Sequence, residues 1–209
     1  MTYVFDPVAE RALVQTQMLE WDERYPVPGE NSRLALEIVG AWQSGNRRTL
    51  PEEMPRLLIA ERPRKSWPDT FWTIGGLMVV RAPVRDIIEA LDPGVHQFFP
   101  LRIRTKRGVE IEGPWFSMVV SVKQNSVVME LSDVFVHPRV PERLCSFSGT
   151  TDVTVDPARQ SGLNLWRETR FKNSLLGSDQ LVADLKAAGL KFFPGFQAKD
   201  LPPCAKQGV

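Results

Sequence analysis

The chain has 209 residues, 43% of them hydrophobic and 24% charged, a composition that buries a substantial core. Its 26 Lys and Arg against 25 Asp and Glu leave a net charge of +1, too small a field to draw nucleic acid or an anionic membrane surface, so a general polyanion binder is disfavoured. The opening MTYVFDPVAER lacks a basic segment followed by an apolar stretch, and no apolar run approaches a membrane span, so the expectation is a cytoplasmic protein.

Taken in chain order, Tyr3 to Phe5 reads as a short strand. Residues 8–23 have helical spacing (Ala12, Leu13, Thr16, Met18, Leu19), stopped by Tyr25-Pro-Val-Pro-Gly29. A second helical stripe runs from Leu34 to Trp42. Four prolines between 46 and 68 mark a loop-rich connector around one strand, 56–60. Residues 71–80 read as one apolar strand with Gly75-Gly76 as an internal bulge or close approach, leading into a helix from Pro83 to Leu91. Leu101 to Arg107 alternates as a half-buried strand does, and Arg107-Gly108 predicts a hairpin turn into 109–111. Residues 115–122 and 127–131 are expected to form a hairpin across 123–126, with 133–136 extending the meander. An irregular crossing, 138–162, contains one strand, 152–155. Leu165 to Phe171 alternates again, Ser178 is a candidate N-cap for a helix over 179–188, and the tail from Gln197 reads as frayed.

Within this order one pattern occurs twice. Ile87, Ile88, Leu91, Gly94, Phe98, Phe99 and Pro100 match Leu181, Val182, Leu185, Gly189, Phe192, Phe193 and Pro194. Apart from the glycines, which differ by one residue, all positions are offset by 94. An apolar helical stripe, a glycine able to take the left-handed conformation, and an extended aromatic pair make a structural repeat. The fold expected is α+β, a mixed and mostly antiparallel sheet with short helices and two strand-helix-strand modules in pseudo-repeat. Three segments of one compact unit follow: a helical and loop-rich lobe over 1–62, the first module and meander over 63–137, and the crossing, second module and tail over 138–209.

Catalytic chemistry finds little support. His96 and His137 are the only histidines, and Cys145 and Cys204 form no CxxC, so neither a metal site nor a disulfide framework is expected. Gly75-Gly76 lacks the Gly-Lys-Ser of a phosphate loop, and Ser148-Gly149 lacks the context of a nucleophile elbow. No catalytic, cofactor or metal residues are assigned. Glu110 and Glu112 share a strand face and are the first pair to test for acid/base work, although two solvated glutamates are the simpler reading. Trp67, in a Pro-rich loop, is a candidate partner anchor against the alternative that it folds onto its own domain. Residues 1–37 carry seven acidic and three basic side chains, so Glu20, Asp22, Glu23 and Glu30 offer an acidic face for a basic partner or merely for solubility.

The stretch from Gly76 to Leu101, the β-rich middle, and Leu165 to Phe171 with Ser178 to Phe193 together resemble immunity-protein family eleven of bacterial polymorphic toxin systems, formerly a bacterial domain of unknown function. The resemblance covers about residues 70–195. It implies a protein that binds and neutralises a cognate toxin effector, without catalysis, in systems delivered by contact-dependent or type VI routes. It transfers no binding residues. An enzyme that reverses or degrades a toxin product, and a structural or adaptor subunit of a secretion system, are the alternatives. A homodimer stays open, because an edge such as 165–171 could pair with a second copy or with the toxin.

Overall fold

The computed structural model describes residues 1–5, 13–18, 31–45, 47–62, 64–73, 76–136, 145–147, 152–171 and 174–202. Alternation builds its larger sheet. In β6 (Met78–Arg81), β7 (Gln97–Thr105) and β8 (Trp115–Val119), successive side chains enter different cores. Val79, Leu101, Ile103, Trp115 and Val119 join one cluster, while Met78, Val80 and Met118 join another. With β2 (Leu13–Val14), β3 (Thr16–Gln17), β4 (Leu57–Ala60) and β5 (Thr70–Thr73), the order is β2-β5-β6-β8-β7-β4-β3. Both ends of that order lie on one stretch, 13–17, so the sheet almost closes into a barrel and hides its edges. The first helix, α1 (Asn31–Ser44), adds Ala35, Ile38 and Trp42 to the barrel's inner cluster.

A five-stranded sheet packs on the barrel's outer face. It comprises β15 (Gly195–Gln197), β1 (Thr2–Phe5), β14 (Leu175–Ser178), β13 (Leu165–Glu168) and β9 (Lys123–Gln124), in that order. Phe5, Leu165 and Leu175 meet the outward barrel residues together with Val84 and Ile88 of α2 (Ala82–Leu91) and Leu181 and Leu185 of α3 (Asp179–Ala187). The opposite face, Val4, Trp166 and Leu176, is covered by Val127, Val153, Val155 and Ala198. That cover is held by β12 (Thr154–Val155), parallel to β16 (Lys199–Asp200). A small hairpin of β10 (Val134–Val136) and β11 (Cys145–Phe147) completes the described strands. The chain is therefore α+β with mostly antiparallel sheets and short helices.

The repeat is physical. Both β6 and β14 run directly into a helix, and α2 and α3 pack on each other. Gly94 and Gly189 both have positive φ, 68° and 69°. Gly189 closes α3, where its N–H bonds Lys186 O at 3.0 Å and that of Leu190 bonds Leu185 O at 2.9 Å. Gly94 instead follows Pro93 in a separate turn, in which Val95 N–H bonds Asp92 O at 3.2 Å. The connector of the first copy is longer, so the helix starts, Ala82 and Asp179, are 97 apart rather than the 94 that aligns the aromatic pairs. In register, Val84 and Ile88 correspond to Leu181 and Leu185.

Several expectations are corrected. Within 8–23, residues 13–14 and 16–17 are strands, because ladders to β5 and β4 override a weak helical stripe; the remainder lies outside the described residues. Residues 71–80 are the antiparallel hairpin β5–β6, and Gly76, at φ 85°, belongs to its turn rather than to a bulge. No hairpin spans 123–126. The chain leaves the barrel there to lay β9 parallel to β13, and Met129–Leu131 is a 3-10 turn. The Glu168 carboxylate accepts Ser126 N–H at 2.8 Å and Val127 N–H at 3.0 Å, bonds that a hairpin would have made within itself. Strand β13 is internal, between β14 and β9, and buried on both faces, so it offers no free edge to a second copy. The tail from Gln197 is paired through β15 and β16, while 203–209 lie outside the described residues.

Candidate partner-binding surface

On the barrel wall, α2 lies over β6 and β8. Strand β7 instead has β4 beside it in parallel, with Leu57 opposite Arg102 and Ile59 opposite Arg104. Along β7, Leu101 and Ile103 point into the core while Arg102 is exposed and Arg104 half-buried. A groove of about 490 Å³ opens there. The 3-10 turn Pro51–Glu53 and the following Met54 and Pro55 form one wall, and Pro114 and Phe116 the other. Its floor contains Met54, Phe99 and Trp115, which belong to or pack against the barrel core. Arg56 and Arg102 line it, adjacent through a 2.9 Å bond from Arg102 N–H to Arg56 O. Phe99, Pro100 and Phe116 also border a second groove of about 590 Å³, lined by Arg48, Arg85 and His96.

Two of the aromatic rings here already carry a cation. Arg81 lies 5.7 Å from the Trp115 ring centroid and Arg85 4.1 Å from that of Phe116. Arg102 grips Glu110 in a bidentate pair, Nε to Oε1 at 2.7 Å and the second guanidinium nitrogen to Oε2 at 3.1 Å. That pair holds the Glu110 carboxyl below the usual carboxylate range at an exposed position. An exposed, ionised carboxylate tied to an arginine is poorly suited to donate a proton.

Three sequence candidates gather at this end of the barrel. Trp67 is half-buried, 5.6 Å from Phe71 and 6.1 Å from Trp115 between ring centroids, so it is folded onto its own domain. Glu110 pairs with Arg102, and Glu112 is exposed with its carbonyl accepting Trp115 Nε1–H at 3.1 Å. The acidic set Glu20, Asp22, Glu23 and Glu30 lies outside the described residues. The groove arginines were missed because Arg102 and Arg104 alternate with apolar residues and read simply as the wet face of a strand. A signal was present: residues 97–109 hold Arg102, Arg104, Lys106 and Arg107 with no acidic residue among them.

The buried charges lie elsewhere and serve the fold. Asp92 accepts N–H bonds from Asn164 at 2.9 Å and Leu165 at 2.9 Å, tying the end of α2 to β13. His96 Nε2 lies 3.4 Å from Asp92 Oδ2, and burial holds its pKa below the ordinary value. Arg167 reaches from β13 to Val120 O at 3.1 Å and to Trp42 O at 3.0 Å, near the C-terminal end of α1, where carbonyls favour a cation. Burial pushes its pKa down to about 9. Glu168, on the opposite face, has its carboxyl pushed up by burial. Among the described residues no cluster of three or more His, Cys, Asp or Glu could hold a metal ion, and no helix is long and apolar enough to cross a membrane.

A comparison with curated proteins finds no match. Residues 5–200, nearly the whole chain, match the family model described as Immunity protein family (Imm11), and the chain belongs to that family.

Proposed function

We propose that the protein protects its cell by binding a cognate toxin effector stoichiometrically and blocking it, without catalysis, in the cytoplasm. The observation that carries this reading is the family match over residues 5–200. A preformed groove with an apolar floor and a cationic rim supports it, because rigid aromatic and arginine side chains are the usual anchors of protein interfaces. Delivery of the toxin by a type VI or contact-dependent route belongs to the same proposal.

The test is co-expression with the toxin domain encoded beside it, combined with a pull-down on the tagged protein and measurement of the complex mass. Survival together with a complex of fixed stoichiometry is the expected result. Survival without any complex would overturn stoichiometric blocking and direct attention to conversion of a toxin product.

A further inference from the structure

The groove beside Pro100 has a charge imbalance. Arg56 is exposed and has no acidic partner among the described residues, while Arg102 is exposed and paired with Glu110. Four cations without an acid between 97 and 109 extend the same sign along β7. The walls carry Pro51, Pro55, Pro100 and Pro114. Prolines offer no N–H, so an occupant cannot add a full β-ladder and must be held through its side chains. The floor is apolar and belongs to the barrel core, so little ordering entropy is lost when it is covered.

We propose that this groove seats an acidic, extended segment of the toxin, its carboxylates pairing with Arg56 and Arg102 while an apolar side chain lies against Met54 and Pro100. The assignment rests on the immunity reading above. A nucleic acid fits less well. Single-stranded binders stack bases on open aromatic faces, whereas Arg81 and Arg85 already lie over Trp115 and Phe116. The net charge of +1 also gives no extended backbone-tracking field.

The experiment uses the full chain and the toxin domain recovered with it, measuring Kd for wild type, R56E/R102E and E110Q at two salt concentrations. Both arginines are exposed, so an unchanged thermal midpoint is expected and checks the fold of the reversal variant. R56E/R102E weakens binding at least about tenfold, and wild-type affinity falls with salt. E110Q, which removes the carboxylate paired with Arg102 and leaves the groove more cationic, tightens binding about threefold. Wild-type affinity in R56E/R102E, or a weaker E110Q complex, overturns the groove while leaving the immunity reading standing. A wild-type protein that holds no toxin sinks stoichiometric blocking itself. If a mixed-sequence single-stranded oligonucleotide binds wild type and is lost in R56E/R102E while toxin affinity is unchanged, the groove serves nucleic acid and the proposal fails.

Discussion

Both copies of the repeat turn a strand straight into a helix and return through Phe-Phe-Pro, yet they return to different places. The first enters the middle of the barrel, where Phe98, Phe99 and Pro100 sit within the long strand β7. The second runs as an irregular segment straight into β15, with Phe192 edge-on against Phe5 at 4.9 Å. The helices that the copies share form a common core through Val84, Ile88, Leu181 and Leu185. Among the described residues the arginine-rimmed groove lies beside the first copy, where Phe-Phe-Pro is part of a long strand that continues with Arg102 and Arg104 on its outward side. A repeated pattern thus specifies a packing unit, and the residues that follow it decide what surface the unit presents.

The contrast can be broken at the join between the two sheets. Arg167 is the largest lever, since its guanidinium links β13 to Val120 and Trp42 across the interface. Arg167→Ala should cost about 3 kcal/mol in a denaturant titration, from lost packing and two orphaned carbonyls. Arg167→Met should cost less, because it fills the space without burying a charge. If Ala and Met behave alike, packing is not what the side chain supplies.

Asp92 comes next, as the first copy's own tie to β13. Asp92→Ala should lose about 2 kcal/mol, because the Asn164 and Leu165 N–H groups are left without an acceptor. The second copy closes α3 by Gly189 instead, so the same treatment has no counterpart there.

A third test sharpens the helix starts. Ser178 accepts Leu181 N–H at 3.2 Å as a true cap, whereas Arg81 at the equivalent position makes no side-chain cap bond. Ser178→Ala should cost about 1 kcal/mol by thermal unfolding, whereas Arg81→Ala should lose only the contacts with Trp115 and Asp69, about 0.5–1 kcal/mol, and no cap bond.

The smallest effect expected is pH dependence through His96. Its folded pKa lies below the ordinary value of 6.5, since burial outweighs the opposing influence of Asp92 and Glu89, with Arg167 also pushing it down. In the unfolded chain the ring protonates first as pH falls, so stability is fully present above 6.5 and declines as pH drops from there toward the folded pKa. Thermal midpoints recorded across that window should fall in wild type and flatten in His96→Gln. A slope that persists unchanged in His96→Gln would assign it to other groups.

Much of the local structure was legible because it depends on neighbours in sequence. The spacing of Ile87, Ile88 and Leu91, the Ser178 cap and the Arg107-Gly108 turn each rest on bonds or packing within a few residues. Legibility failed where a distant strand supplied the hydrogen bonds. Residues 13–17 carry too few periodic side chains to resist two ladders, and 123–127 were claimed by β13, through its ladder to β9 and the Glu168 carboxylate. The charges of β13 misled for the same reason, since alternation implies a wet face only when one face is left uncovered. At the candidate surface, Trp67 was picked alone and Glu110 with Glu112 as a pair on one strand face, whereas the groove beside them needs β4 beside β7 and the 51–55 turn above it.

By itself, then, the amino-acid order determined the α+β class, the repeat and the family resemblance, all of which rest on hydrophobic period and short-range turn chemistry. Only the tertiary structure decided that the larger sheet nearly closes, that Arg167 and Glu168 are buried on opposite faces of an internal strand, and that Arg56 and Arg102 rim one groove. Those features come from pairings between segments far apart in the chain, and no local periodicity records which strand will lie beside which.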